Sequence, residues 1–365
     1  MYFPSNRGWS HQLVRLIGEA QNGGGDFGEI HRAANRMKVG DLESWFKEWN
    51  DLAGHVEALG TAAEGSGHRI SAMQSYFRAS NYYRMADFYL DKDDSREQPT
   101  YLKHVSLFQK ASALHTPPIE AVRIPFEERY LHGYLVEAAN GSSITEKAPC
   151  IIIFGGADAT CEETYFSSAL DASLRRSHAL LIDGPGQGYT LRFEKLYARF
   201  DYERAVGAAI DFLAGNKSGN VALERVGIMG RSMGGYYAAR SAAKEPRIKA
   251  AVVFDAVFDI NSDVYDFFPP LRRAINWDLG VNTEEEARER LGKFNLAGVA
   301  EHTKCPILII HGEDDYVTSP EGARKLYAAI KHGDKTLKWY KAGHGVSAFR
   351  AEATAYVFDW FLEKL

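Results

Sequence analysis

Cysteine is scarce. Cys150, Cys161 and Cys305 are the three in 365 residues, and none forms a C-x-x-C pair. An odd, widely spaced set argues against a disulfide framework and a structural zinc site, and it leads us to expect a reducing, cytoplasmic setting. Charge of one sign is not in excess either. Lys and Arg number 43 against 48 Asp and Glu, a formal net charge of −5, which leaves no basic footprint for nucleic acid. No apolar run approaches the ~18 residues that a membrane span requires. The opening MYFPSNRGWS has no basic stretch followed by an apolar core, so it does not read as a secretory signal. There is no H-E-x-x-H, EF-hand loop or P-loop, and no metal or cofactor is expected.

What is present is ordinary for a globular chain, 45% hydrophobic and 25% charged. The length suggests two domains of ~100–200 residues, or one large domain with additions. The character of the chain changes near residue 115. Before it, helical patterns rich in aromatics dominate. Between Asp41 and Leu59, the residues Leu42, Trp45, Phe46, Trp49, Leu52 and Val56 recur at steps of three and four, an amphipathic helix with Asp41 as its cap. Ala72 to Leu90 repeats the pattern with Met73, Tyr76, Phe77, Tyr83 and Leu90, although Met85 falls off the stripe. Asn22 to Gly25 and Asp91 to Gln98 read as loops. A helical unit of residues 1–115 suits either packing and dimerisation or covering a substrate.

From residue 116 the rhythm becomes strand, turn, helix. Ile119 to Phe126 and Tyr130 to Glu137 form an expected antiparallel pair about a Glu127–Glu128 turn. Further strands are expected at Cys150 to Phe154, Ala179 to Ile182, Val226 to Met229, Ala250 to Phe254, Ile307 to Ile310 and Thr336 to Tyr340. Alternation with helices implies an α/β fold, a mostly parallel doubly wound sheet with helices on both faces. The interval 258–303 is too long for a plain crossover. Its aromatics, the Pro269–Pro270 pair and a helix opening at Thr283 mark a helical cap inserted after the sixth strand.

The chemistry concentrates at strand ends. Gly230-Arg231-Ser232-Met233-Gly234 follows an apolar strand and precedes a helical stretch, the G-x-S-x-G elbow in its strand–turn–helix context. Small residues two before and two after the serine are required because a side chain there collides with neighbouring backbone. A serine hydroxyl needs a base, and His344, between Gly343 and Gly345 after the last strand, is the candidate. The acid is expected after the penultimate strand, where the spacing G-x-x-D from Gly312 selects Asp315 over its neighbour Asp314. Oxyanion donors are expected from the backbone N–H of Met233 and from the Phe154-Gly155-Gly156-Ala157 loop, with Gly156 and Ala157 as alternatives. The Asp183-Gly184-Pro185-Gly186-Gln187-Gly188 run reads as a turn beneath the site. Of Asp255, Asp259 and Asp263 after the sixth strand, Asp263 is our choice for a carboxylate facing the substrate. Arg231, Tyr265 and Phe267 are the other candidates for substrate contact.

These motifs, in this order, resemble the α/β-hydrolase superfamily. With the helical N-terminal extension, the whole chain resembles the 2,6-dihydroxypseudooxynicotine hydrolase family and its fungal relatives, which shorten polyketide products in pigment pathways. The resemblance implies a Ser-His-Asp triad at Ser232, His344 and Asp315 that cleaves a carbon–carbon bond next to a ketone. It also implies a cap, an N-terminal helical segment and a homodimer. The family's pyridine-substrate member carries an acidic residue in the region after the sixth strand, where this chain has Asp263. The same triad also serves an esterase, thioesterase or acyltransferase. A ligand-binding protein that has lost catalysis on this fold would not need all three residues.

Overall fold

The computed structural model describes residues 2–139, 147–217 and 219–365. The chain forms two compact units, Met1–Glu120 and Ala121–Leu365. The first is helical: α1 (Arg7–Ala20), α2 (Phe27–Ala34), α3 (Leu42–Gly65), α4 (Arg69–Asp87) and α5 (Glu97–Leu114). Polar caps set the starts of three of these. The side chains of Asn6, Asp26 and Asp41 accept the otherwise unpaired N–H groups of Trp9, Glu29, and Glu43 with Ser44. The α3 stripe buries Trp45, Trp49, Leu52 and Val56, whereas Leu42, in its first turn, is exposed. Helix α4 packs against both α3 and α5. It therefore buries two faces, which is why Met85 is fully buried although it lies off the single stripe. Trp45 Nε1 donates to Met85 O at 2.6 Å, satisfying one of the orphan carbonyls of the last α4 turn. The expected loop at Asp91 to Gln98 is shorter than the sequence implies, because α5 begins at Glu97.

The second unit is built on an eight-stranded sheet in the order β1-β2-β4-β3-β5-β6-β7-β8. Its strands are β1 (Glu120–Phe126), β2 (Arg129–Val136), β3 (Ala148–Phe154), β4 (His178–Asp183), β5 (Val221–Arg231), β6 (Ile248–Phe254), β7 (Ile307–Gly312) and β8 (Lys335–Tyr340). Strand β2 runs antiparallel to β4, and β3 to β8 are parallel to one another. The central strands are covered on both faces, which is why β3, β4, β6 and β7 read as nearly unbroken apolar runs. Short helices α6 (Cys161–Thr164), α7 (Leu170–Leu174) and α8 (Gly188–Glu194) join the early strands. They are followed by α9 (Glu203–Asn216) and α10 (Met233–Lys244).

Between β6 and β7 lie a π-turn (Asn261–Tyr265), a 3₁₀ turn (Pro269–Leu271), α11 (Arg272–Leu279), α12 (Glu284–Leu291) and a second 3₁₀ turn (Ala300–His302). Helix α12 starts at Thr283 with a reciprocal capping box to Glu286. Ile275, Leu279, Leu291, Phe294 and Leu296 of this insertion join the apolar core of the sheet. The chain closes with α13 (Pro320–Ala329) and α14 (Arg350–Lys364). Phe361 and Leu365 lie where a side chain on Gly227 of β5 would stand. Parallel strands bring their carboxyl ends to one edge, so the segments after β3, β4, β5, β6, β7 and β8 gather there.

Candidate active site

Ser232 sits between β5 and α10 with φ 57° and ψ −123°. This is a positive φ that non-glycine residues seldom adopt. The crowding that dictates the small neighbours is explicit. A Cβ on Gly230 would overlap Gly234 O, and a Cβ on Gly234 would overlap Gly155 O. The Ser232 N–H donates to Phe254 O of β6 at 2.9 Å, and its carbonyl accepts the Gly235 N–H at 2.7 Å. Met233 opens α10, so its N–H belongs to the first turn, where backbone donors have no partner within the helix.

The loop after β3 closes on the serine. A Cβ on Gly156 would stand 3.0 Å from Ser232 Cβ and 3.3 Å from Ser232 Oγ. Gln187, in the turn after β4, holds this loop. Its Nε2 donates to Gly155 O at 2.6 Å, while its Oε1 accepts from Gly184 N–H at 3.0 Å and Tyr202 O–H at 2.7 Å. Ala157 and Asp158 are half-buried beyond Gly156.

At the other side of the constellation, His344 Nδ1 and Asp315 Oδ2 are 2.8 Å apart. Asp315 is buried and its other contacts are donors. Oδ1 accepts Val317 N–H at 2.8 Å and Thr318 N–H at 3.0 Å, and Oδ2 accepts Thr318 Oγ1–H at 2.7 Å. Burial alone would raise this carboxyl, but the His344 charge and hydrogen bond, helped by His311 and the Val317 N–H, hold it well below the usual range. An ionised carboxylate only accepts, so Nδ1 carries the proton and Nε2 is left as the base. Asp314, by contrast, is exposed. His311 is fully buried with Nε2 3.7 Å from Asp315 Oδ2, and burial pushes its imidazole down.

Of the residues expected to face substrate, Asp263 and Tyr265 are instead engaged within the protein, and for these two the expectation is corrected. Asp263 is turned inward. Its Oδ2 accepts the N–H groups of Phe258 and Asp259 at 2.9 and 3.0 Å, and its Oδ1 accepts Ser262 Oγ–H at 3.1 Å. It is a cap for the turn that opens the insertion, because three donors there need an acceptor. Tyr265 is buried, with its hydroxyl donating to Asn276 at 3.0 Å and the Arg272 and Arg288 guanidiniums 5.1 and 5.3 Å from its ring. Phe267 is exposed. Its neighbour Phe268 instead meets Tyr316, beside Asp315, edge-on at 5.8 Å. Arg231 lies with its guanidinium 4.0 Å over the Phe254 ring.

Two acids beside the site were not selected from sequence. Asp255 directly follows β6 and accepts the Gly345 N–H on Oδ1 at 3.0 Å. One of its oxygens, one of Asp315 and one ring nitrogen of His344 all lie within 4.8 Å of one another. Asp278 of α11 is buried, and its Oδ2 has no hydrogen-bond partner among the described residues. Burial and the nearby Asp158 push its carboxyl well up, against the pull of Arg192. Neither acid carries a spacing signal, since each is defined by what surrounds it in the fold.

Among the described residues, two groups of side chains have the composition of a cation site. Besides Asp255, Asp315 and His344, these are Cys161, Glu162 and Asp183. In the second group Asp183 already accepts the N–H groups of Cys161 and Tyr189, both at 2.8 Å, and Glu162 accepts Tyr134 O–H at 3.0 Å. Burial and the charges of Asp183 and Glu162 raise the Cys161 thiol well above its ordinary value, so it stays protonated and unreactive. Among the described residues, no helix is long and apolar enough to cross a membrane.

The parallel sheet, the strained serine after β5 and the acid–imidazole pair after β7 and β8 are features of a hydrolase site. The sequence pattern of the prolyl oligopeptidase family matches residues 184–365. The chain is 35% identical to the α/β hydrolase xenA of Xenoacremonium sinensis over 68% of its own length, and that match spans 60% of the relative. It is 30% identical to the 20-hydroxy-prefusarin hydrolase FUS2 of Gibberella moniliformis, over 93% of this chain and 90% of that one. The crystal structure of 2,6-dihydroxy-pseudo-oxynicotine hydrolase superposes with a TM-score of 0.84 at 26% identity, covering 96% of this chain and 95% of the other. The chain belongs to the α/β-hydrolase family that includes these fungal enzymes.

Proposed function

We propose that the protein is a serine hydrolase that cleaves a carbon–carbon bond next to a ketone in an aromatic or polyketide-like small molecule, acting as a homodimer. The observation that carries the reading is the 2.8 Å contact between His344 Nδ1 and the buried Asp315 carboxylate, which leaves Nε2 as the base. Relatives named as hydrolases of 20-hydroxy-prefusarin and of 2,6-dihydroxy-pseudo-oxynicotine support the substrate class.

In this reading Ser232 Oγ adds to the ketone carbon as His344 Nε2 takes its proton, and Asp315 balances the imidazolium. The N–H of Met233 and that of Gly156 or Ala157 receive the oxyanion, an interaction worth ~10²–10³ in rate per donor. Collapse breaks the carbon–carbon bond. The electron pair leaves on a carbon made acidic by a second carbonyl or an electron-poor ring, and His344 returns the proton to that carbon. Water, activated by the same imidazole, then attacks the acyl-enzyme and releases the acid. The chemistry is complete with side chains and water.

The test sets wild type and Ser232→Ala against an aromatic 1,3-diketone and a p-nitrophenyl ester, with products identified by mass. Scission of the diketone into an acid and a ketone by wild type alone is the expected result. Turnover of the ester alone would make the protein an esterase with the same triad. Failure of a fluorophosphonate to label Ser232 in folded protein would favour a binding role.

A further inference from the structure

We infer that Asp255 is a second carboxylate for the imidazole, a positioning residue that pins the turn carrying His344 and shares with Asp315 the balancing of the imidazolium. The inference rests on the reading of His344 as the base and goes beyond the triad.

The geometry comes from one short segment. Phe254 ends β6, and its carbonyl accepts the Ser232 N–H at 2.9 Å. The next residue, Asp255, donates its own N–H to Ile310 O of β7 at 2.8 Å and takes φ 54°. That left-handed conformation turns the chain sharply at the strand end, and among residues other than glycine, Asp and Asn tolerate it best. From there Oδ1 accepts the Gly345 N–H at 3.0 Å. Gly345 and Val346, with φ 71° and 49°, form the left-handed kink directly after His344. Asp255 is therefore the bond by which β6 fixes the loop that presents the imidazole, and the same segment fixes the backbone of Ser232.

An amide at 255 would satisfy the Gly345 N–H equally well, so the hydrogen bond alone does not call for a carboxylate. The charge has its own geometry. An Asp255 oxygen lies within 4.8 Å of both a His344 ring nitrogen and an Asp315 oxygen, and Asp255 is 1% exposed. Two carboxylates this close in a buried site ionise together only with a cation beside them. The groups acting on Asp255 are His344, Asp315, His311 and Arg231. Those acting on His344 are Asp315, Asp255 and Asp158. Burial and the Asp315 charge push the Asp255 carboxyl up, against the pull of the His344 imidazolium and Arg231. Burial opposes charge on His344 too, yet the carboxylates outweigh it and lift the imidazole to about 9. The base of this site thus holds its proton to higher pH than an ordinary histidine, whose value is ~6.5, and it does so with two carboxylates facing it.

The experiment is an NMR titration of the His344 ring in the full-length protein, for wild type, Asp255→Asn, Asp255→Gly, Asp315→Asn and the Asp255→Asn/Asp315→Asn double variant. The pH profile of kcat/KM is measured in parallel. Asn keeps the acceptor for Gly345 and the left-handed backbone while removing the charge, and Gly keeps the backbone alone. We expect Asp255→Asn to lower the His344 midpoint by about one pH unit, as loss of an opposite charge at this range does. The acid limb of kcat/KM should move with it, at unchanged KM. Asp255→Gly should add a loss in kcat. Asp315→Asn should retain turnover that the double variant loses by at least about tenfold more, a coupling of the size neighbouring charges show. A wild-type midpoint and acid limb in both Asp255 variants would overturn the inference. The titration needs no turnover. If Ser232→Ala stays active the triad reading fails, yet the midpoint still reports on Asp255.

Discussion

Ser232 carries a conformational cost that its neighbours enforce. A non-glycine residue at φ 57° is destabilised by ~1–2 kcal/mol relative to an ordinary backbone conformation, and the Phe254 and Gly235 hydrogen bonds hold it there. Ser232→Gly should therefore abolish turnover while raising unfolding stability by ~1 kcal/mol. Urea unfolding of the two proteins reads the difference, and equal stability would mean that the elbow is relaxed. The positions of Ser232, Asp315 and His344 were legible in the sequence because each is tied to a strand end by short, fixed spacing. Asp263 was misread for the opposite reason. Any carboxylate just after β6 can face either the substrate or nearby N–H groups, and only the folded turn shows the Phe258 and Asp259 donors that claim it. Asp255, one turn earlier in the chain, looks no different in sequence. Its importance comes from Gly345, which is 90 residues away along the chain.

At the scale of elements, the elbow is an interlock of three segments. The Gly230 and Gly234 positions face each other, and Gly234 faces the carbonyl of Gly155 after β3. Gly234→Ala places a methyl group against backbone rather than against a side chain able to swing aside. We expect a loss of ~1–3 kcal/mol, typical of overpacking, with kcat falling more than KM rises because the Gly155–Gly156 loop is displaced from the serine. Thermal melts and steady-state kinetics check both parts. A variant with wild-type stability would show that the loop yields freely. The strands were readable as elements because burial on both faces writes itself as uninterrupted apolar sequence. Helix α4 was less readable. Periodicity assumes one buried face, and a helix packed against two others has no polar stripe to define a period.

At the scale of the whole molecule, hydrophobic periodicity and aromatic content set a helical first third apart from an α/β remainder, and the two units part at Glu120 and Ala121, a few residues beyond the change of pattern. Sequence could not weigh what the first unit does, since the same apolar helix faces serve a core or a partner. The homodimer we propose is checked by sedimentation velocity. The expected species has twice the 40.7 kDa mass of one chain, and a single-chain mass across micromolar concentrations would reject it. The insertion between β6 and β7 has a consequence for how such enzymes diversify. Those two strands are hydrogen-bonded neighbours, so the segment leaves and rejoins the sheet at adjacent points. In hereditary terms it is a cassette. An in-frame exchange there leaves the sheet order untouched, provided the incoming sequence replaces Ile275, Leu279 and Leu291 against the core and the contacts that Phe268 and Asp263 make with Tyr316 and Ser319 after β7. A lineage with this architecture can vary the whole insertion by altering one contiguous stretch of gene.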